Sequence, residues 1–207
     1  MKSALILVDI QNDFLPGGPL AVPDGGQIIP VVNRLMPRFD LVVATQDWHP
    51  ADHGSFAVNH PGKRPFEQGT LAGLPQTFWP VHCVQHSRGA AFAPQLEAGH
   101  IAHVIRKGTD SLVDSYSGFF DNNHQRATGL GAYLREQHVT AVYIVGLATD
   151  YCVKATALDA RQLGFSVTVI EDACRGVDLI PGDVARSLED MRRAEVDIVR
   201  SDQQPRL

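Results

Sequence analysis

Apolar residues fall in short unbroken runs rich in β-branched side chains, at residues 5–8, 41–44, 104–105, 142–145 and 167–170, with a weaker run at 197–199. A strand with one wet face alternates apolar and polar positions. A continuous run implies cover on both faces, and hence a parallel sheet. Between the runs the period lengthens to that of a helix. Ile28, Val31, Val32 and Leu35 share a face, as do Leu130, Tyr133 and Leu134, and Val153, Thr156, Ala157, Ala160 and Leu163. Gly164 stands where a C-terminal glycine would stop the third helix. Strand and helix patterns in alternation predict an α/β fold, a three-layer α/β/α sandwich around a mostly parallel, roughly six-stranded sheet. Residues 46–94 break the pattern: they are rich in Gly, Pro and His and show little periodicity. A long connection of that kind in a compact domain is expected to be functional, forming one wall of a pocket.

Composition narrows the class. A chain of 207 residues with 44% hydrophobic and 20% charged positions suits one soluble domain with a substantial core. The formal charge of −5, without a basic run, gives no reason to expect nucleic acid or an anionic membrane as partner. A small neutral ligand suits it better, and homo-oligomerisation stays open. The apolar start, residues 1–10, is short, contains Asp9 and runs into Gln11, Asn12 and Asp13, so it does not read as a signal peptide. Cys83, Cys152 and Cys174 are odd in number and far apart, which argues against a disulfide framework and for a reducing, cytoplasmic setting.

In open α/β sheets ligands bind beyond the carboxyl ends of the strands. Asp9 follows the first run, Asp47 and His49 the second, Lys107 the third and Cys152 the fourth. Cys152 also opens a helix, where the dipole favours a thiolate nucleophile. Cys83 and Cys174 lack that placement and read as buried hydrophobes. Asp9, at the end of a central strand, is either a general base or a carboxylate capping the next turn. Lys107 is either its counter-charge or a solvated strand-end lysine. In an extended segment Asp47 and His49 project to one side, and His53 and His82 add imidazoles. A carboxylate with two or three imidazoles suits a divalent metal: zinc, iron(II) or manganese. His60, His100, His124 and His138 read as ordinary surface or core residues. Phe14, Trp79 and Tyr116 lie in loops near these groups, where a flat substrate would need flat walls.

At these residues the chain resembles the nicotinamidases, or pyrazinamidases, of bacteria, within the isochorismatase-like hydrolase superfamily. The matching stretches are "LVDIQNDFLPGGPLAV" from Leu7, "TQDWHPADHGSF" from Thr45, "GLPQTFWPVHCV" from Gly73, "KGTDSLVDSYSGFFDN" from Lys107 and "VGLATDYCVKATALDA" from Val145. The resemblance runs over nearly the whole chain and implies a single isochorismatase-like hydrolase domain, residues 1–207. It implies a catalytic triad of Asp9, Lys107 and Cys152, and a divalent metal, zinc before iron or manganese, on Asp47, His49 and His82. His53 is a further candidate contact. It also implies a cis peptide at Leu147–Ala148 that aims the Ala148 and Cys152 N–H groups at an oxyanion, and a ring clamp of Phe14 and Trp79 with Tyr116 beside it. The implied reaction is hydrolysis of nicotinamide, or pyrazinamide, to the acid and ammonia through a cysteine thioester, in NAD salvage, with the metal on the ring nitrogen. A metal-free cysteine amidase acting on a carbamoyl or ureido compound is the alternative within the class. A metal-stabilised scaffold with a structural Cys152 is the alternative outside it.

Overall fold

The computed structural model describes residues 2–203. Eight strands and four α-helices run in the order β1 Lys2–Val8, α1 Ile29–Leu35, β2 Val42–Asp47, β3 Gln68–Leu71, β4 Leu74–Thr77, β5 His103–Lys107, α2 Leu130–Glu136, β6 Val139–Leu147, α3 Lys154–Gln162, β7 Ser166–Arg175, α4 Asp183–Arg193 and β8 Asp197–Val199. Six strands form one sheet in the order β5-β2-β1-β6-β7-β8, every pairing parallel. β3 and β4 form a separate antiparallel hairpin.

The unbroken apolar runs have the expected cause. Along β1, Leu5 and Leu7 pack on one face with Val32 and Leu35 of α1, whereas Ala4, Ile6 and Val8 pack on the other with Leu134 of α2, Ala157 and Ala160 of α3 and Met191 of α4. A central strand therefore has no wet side to carry polar residues. The sandwich predicted from the pattern is the one observed.

Two features lie outside the expectation. Residues 46–94 are not wholly irregular, because Ala72 and Gly73, both at positive φ (52° and 78°), close the tight hairpin between β3 and β4. Two left-handed residues between paired strands match the natural twist of a hairpin. Helix α4 carries a narrow apolar stripe, Val184, Leu188 and Met191, on an otherwise charged sequence. Apart from the buried Ser187 its other positions are partly or fully exposed, so the average hydrophobicity conceals a regular helical spacing.

Candidate active site

The carboxyl ends of β1, β2, β5 and β6 meet at one edge of the sheet. Asp47 and Lys107 are the last residues of β2 and β5 and sit opposite each other in register. Asp9 follows β1 directly and adopts φ 50°, a left-handed conformation that Asp tolerates better than most residues. After β6 the Leu147–Ala148 peptide is cis, and a single wide helical turn, Thr149–Val153, carries Cys152 back over Asp9 before α3 begins. Four strand ends thus deliver four side chains to one buried point.

The Lys107 ammonium is the hub. Its Nζ lies 3.3 Å from Cys152 Sγ, 2.9 Å from Asp9 Oδ2 and 2.9 Å from the Ser115 carbonyl oxygen, and it donates to Asp47 Oδ1. The Thr45 hydroxyl donates to Asp9 Oδ1 at 2.6 Å. Asp9 Oδ2 has no aligned hydrogen-bond partner among the described residues, so its contact with Lys107 is an ion pair and a lone pair is left for a proton. Asp9 is fully buried, and Lys107 and Cys152 nearly so.

Burial and charge set the proton positions. Burial works against the Lys107 charge, but Asp47 and Asp9 outweigh it and hold the ammonium well above the ordinary lysine range. Burial raises Asp9, with Lys107 opposing, and the net direction is up. The Cys152 thiol is pushed well up by burial, with Lys107 opposing and Asp9 and Asp47 adding to the rise. Burial thus opposes the thiolate that the helix start favours, and Asp9, in contact with the sulfur, is placed to take its proton.

Beside this group lies a second one. Asp47 Oδ2 is 3.5 Å from His49 Nε2 and 3.7 Å from His82 Nε2. His49 Nδ1 is 2.8 Å from the Gly108 carbonyl oxygen and His82 Nδ1 is 2.8 Å from that of Pro80. A carbonyl can only accept, so in each ring Nδ1 carries a proton and Nε2 is the atom turned toward Asp47. Only glycine fits at Gly108, because a Cβ there would lie 2.3 Å from the His49 ring. Three donor atoms within 4.8 Å of one another, two imidazole nitrogens and a carboxylate oxygen, make a donor set that fits a divalent cation.

His53, the further candidate, stacks 4.2 Å from His49. Its Nδ1 accepts from the Ser55 N–H at 3.2 Å, which puts the proton on Nε2. That Nε2 has no partner among the described residues, and burial followed by His49 pushes the ring's pKa down to about 4. His53 thus presents a donor N–H, rather than a lone pair, toward the group.

The two groups share a pocket lined by Phe14, Trp79, Tyr116, Ala148, Tyr151 and Val177, together with Asp47, His82 and Cys152. All three aromatics singled out from the sequence are there. The Trp79 indole N–H donates to the Tyr116 hydroxyl at 3.2 Å, which fixes both rings. Ala148 and Cys152 both border the pocket. Sequence reasoning missed Thr45, Tyr151, Val177 and the buried Asp114 on its rim. Thr45 had a signal, since it stands two residues before Asp47 on the same strand and so faces the same side.

Comparison with known proteins gives a consistent result. A family model described as the isochorismatase domain matches residues 3–203. The chain is 53% identical over 195 residues to a nicotinamidase of Escherichia coli, covering 92% of this chain and 91% of that protein. Among solved structures, an Acinetobacter baumanii nicotinamidase/pyrazinamidase superposes with a TM-score of 0.95 at 48% identity, covering 97% of each chain. A pyrazinamidase of Pyrococcus horikoshii in complex with zinc superposes with a TM-score of 0.79 at 41% identity, covering 97% of this chain and 99% of that one.

Proposed function

The chain belongs to the isochorismatase family, and from that premise we propose that it is a nicotinamidase, hydrolysing nicotinamide to nicotinate and ammonia and pyrazinamide likewise. One observation carries the reading. A Cys–Asp–Lys cluster and an Asp–His–His cluster, joined through Lys107 and Asp47, open on one small aromatic pocket. The first can break an amide, and the second can hold the far side of a ring that bears one. The nicotinamidases of high identity support the same substrate.

Asp9 Oδ2 takes the proton from Cys152 Sγ as the sulfur attacks the carboxamide carbon, so thiolate and substrate are activated in one step. Lys107 stays protonated and holds the new thiolate and Asp47 in place. The developing oxyanion is stabilised by the N–H groups of Ala148 and Cys152 at the start of the wide turn. Asp9 returns the proton to the amide nitrogen, which leaves as ammonia, and the acyl group remains as a thioester on Cys152. Water then enters and attacks the thioester carbon while Asp9 takes its proton; the C–S bond breaks, nicotinate leaves, and Asp9 returns the proton to Cys152 Sγ.

Asp47, His49 and His82 would hold one divalent ion, which we assign as zinc, and that ion would supply a Lewis-acid anchor for the ring nitrogen. His53 contributes its Nε2–H as a donor beside those ligands. Phe14, Trp79 and Tyr116 would pack against the ring and exclude water from its faces. We place this activity in a single hydrolase domain in the cytoplasm, a reading supported by the extent of the family match and by three free, buried cysteines. No helix among the described residues is long and apolar enough to cross a membrane.

The test is ammonia release from nicotinamide by the purified protein, with Cys152→Ala beside it. Wild type should turn over steadily and the variant should fall by about 10⁴-fold or more. Release by the variant at a comparable rate would remove Cys152 from the chemistry.

A further inference from the structure

The substrate pocket is tight. Its free cavity is about 30 Å³, room for about two waters, so the fit of a pyridine carboxamide depends on how its walls are held. Most of the walls are poorly suited to yield. Phe14, Trp79 and His82 are almost fully buried, and Trp79 and Tyr116 are tied to each other by a hydrogen bond. Val177 differs. It lies just beyond the end of β7, is half-buried, and leads into the exposed residues Asp178 and Ile180.

The Val177 side chain packs against the core beside the pocket, and one other side chain clamps the backbone that carries it. Asp150 stands two residues before Cys152, in the same wide turn, and its carboxylate accepts the Val177 N–H through Oδ1 at 2.9 Å and the Asp178 N–H through Oδ2 at 2.8 Å. Gly176 makes the approach feasible, since a Cβ there would lie 2.9 Å from Asp150 Oδ1 and 2.2 Å from Val184 Cγ2. From Asp178 the connection continues, its Oδ1 accepting the Gly182 and Val184 N–H groups at the start of α4. A half-buried carboxylate with its two oxygens on two successive amides is a specific clamp, because those donors would otherwise turn to water.

We propose that Asp150 is a positioning residue for substrate binding, a latch whose carboxylate holds the 176–178 segment so that Val177 forms the closing wall of the ring pocket. The proposal rests on the ring-amide reading of the site. Asp150 touches neither sulfur nor substrate, and it acts through Val177. Its loss should therefore weaken the grip on the ring and leave the chemical step intact.

The experiment is a double-mutant cycle on nicotinamide hydrolysis, with hydrogen exchange measured on the same proteins. Asp150→Ala should raise KM by about tenfold with kcat within about twofold of wild type, the loss expected of charge-assisted bonds to one wall. Asp150→Asn keeps an acceptor for one amide and should fall between the two. Val177→Ala should raise KM by about threefold, and adding it to Asp150→Ala should raise KM little further, since both remove the same wall. Exchange of the Val177 and Asp178 amides should accelerate in Asp150→Ala while the β1 and β6 amides stay protected. A fall in kcat at constant KM, multiplicative effects in the cycle, or unchanged exchange at residues 177 and 178 would each overturn the proposal. Accelerated exchange in a protein whose wild type releases no ammonia would leave the latch standing and count against the nicotinamide reading alone.

Discussion

The two walls of the site are built by different means. On one, Asp9, Asp47 and Lys107 stand at the carboxyl ends of parallel strands, and Cys152 follows another by a single turn. On the other, His49, His53, His82 and Trp79 come from the long connection between β2 and β5, where carbonyl oxygens and neighbouring rings hold the side chains rather than a sheet ladder. The strand-end wall needs one buried cation to hold two buried carboxylates. The connection wall needs only lone pairs aimed at a point. Damage to the first should therefore spread through fold and chemistry together, whereas damage to the second should stay local.

Lys107→Met is the harshest way to sharpen this contrast. It leaves Asp9 and Asp47 buried without their common cation, and removing one partner of a buried pair costs about 3–5 kcal/mol. Denaturant unfolding should show that loss alongside abolished activity. Wild-type stability in the variant would mean that water or a metal compensates the carboxylates, and the hub description would fail.

His82→Ala is the matching test on the other wall. Metal affinity, measured by competition with a chromogenic chelator, should weaken by more than about 100-fold, while the protein stays folded. Retained metal affinity would mean that His82 does not belong to the ligand set.

A smaller effect should follow from Thr45→Val, which keeps the shape of the side chain and removes the hydroxyl that holds Asp9 Oδ1. Losing one hydrogen bond to a charged group should lower kcat by about tenfold, with KM and metal affinity unchanged. Thr45→Ser should restore most of the loss. If the serine variant were as slow as the valine, packing rather than the hydroxyl would be responsible.

The same contrast explains what could be read in the sequence. Strands buried on both faces announce themselves as apolar runs, and the fold fixes where their ends meet, so Asp9, Asp47, Lys107 and Cys152 could be found by looking just past each run. The connection wall carries no period to read. His49 could be paired with Asp47 and set beside His53 and His82, but only the resemblance of "TQDWHPADHGSF" and "GLPQTFWPVHCV" to a known family singled out His49 and His82, and nothing in their spacing shows that Gly108 and Pro80 orient their rings. Helix α4 escaped because one apolar position per turn is diluted by charge. Asp150 and Val177 escaped because their contact joins residues 27 apart in sequence through backbone amides. The burial that opposes the Cys152 thiolate shows only in the assembled site.

The division of labour between the walls is tested most directly by one ratio, kcat/KM for nicotinamide over that for benzamide, which lacks the ring nitrogen, measured in wild type and in His49→Ala. If the Asp47, His49 and His82 wall anchors that nitrogen, wild type should favour nicotinamide by about a hundredfold or more, and the ratio should collapse toward unity in the variant. Equal turnover of the two amides by wild type would contradict the account, because the second wall would then play no part in holding the substrate.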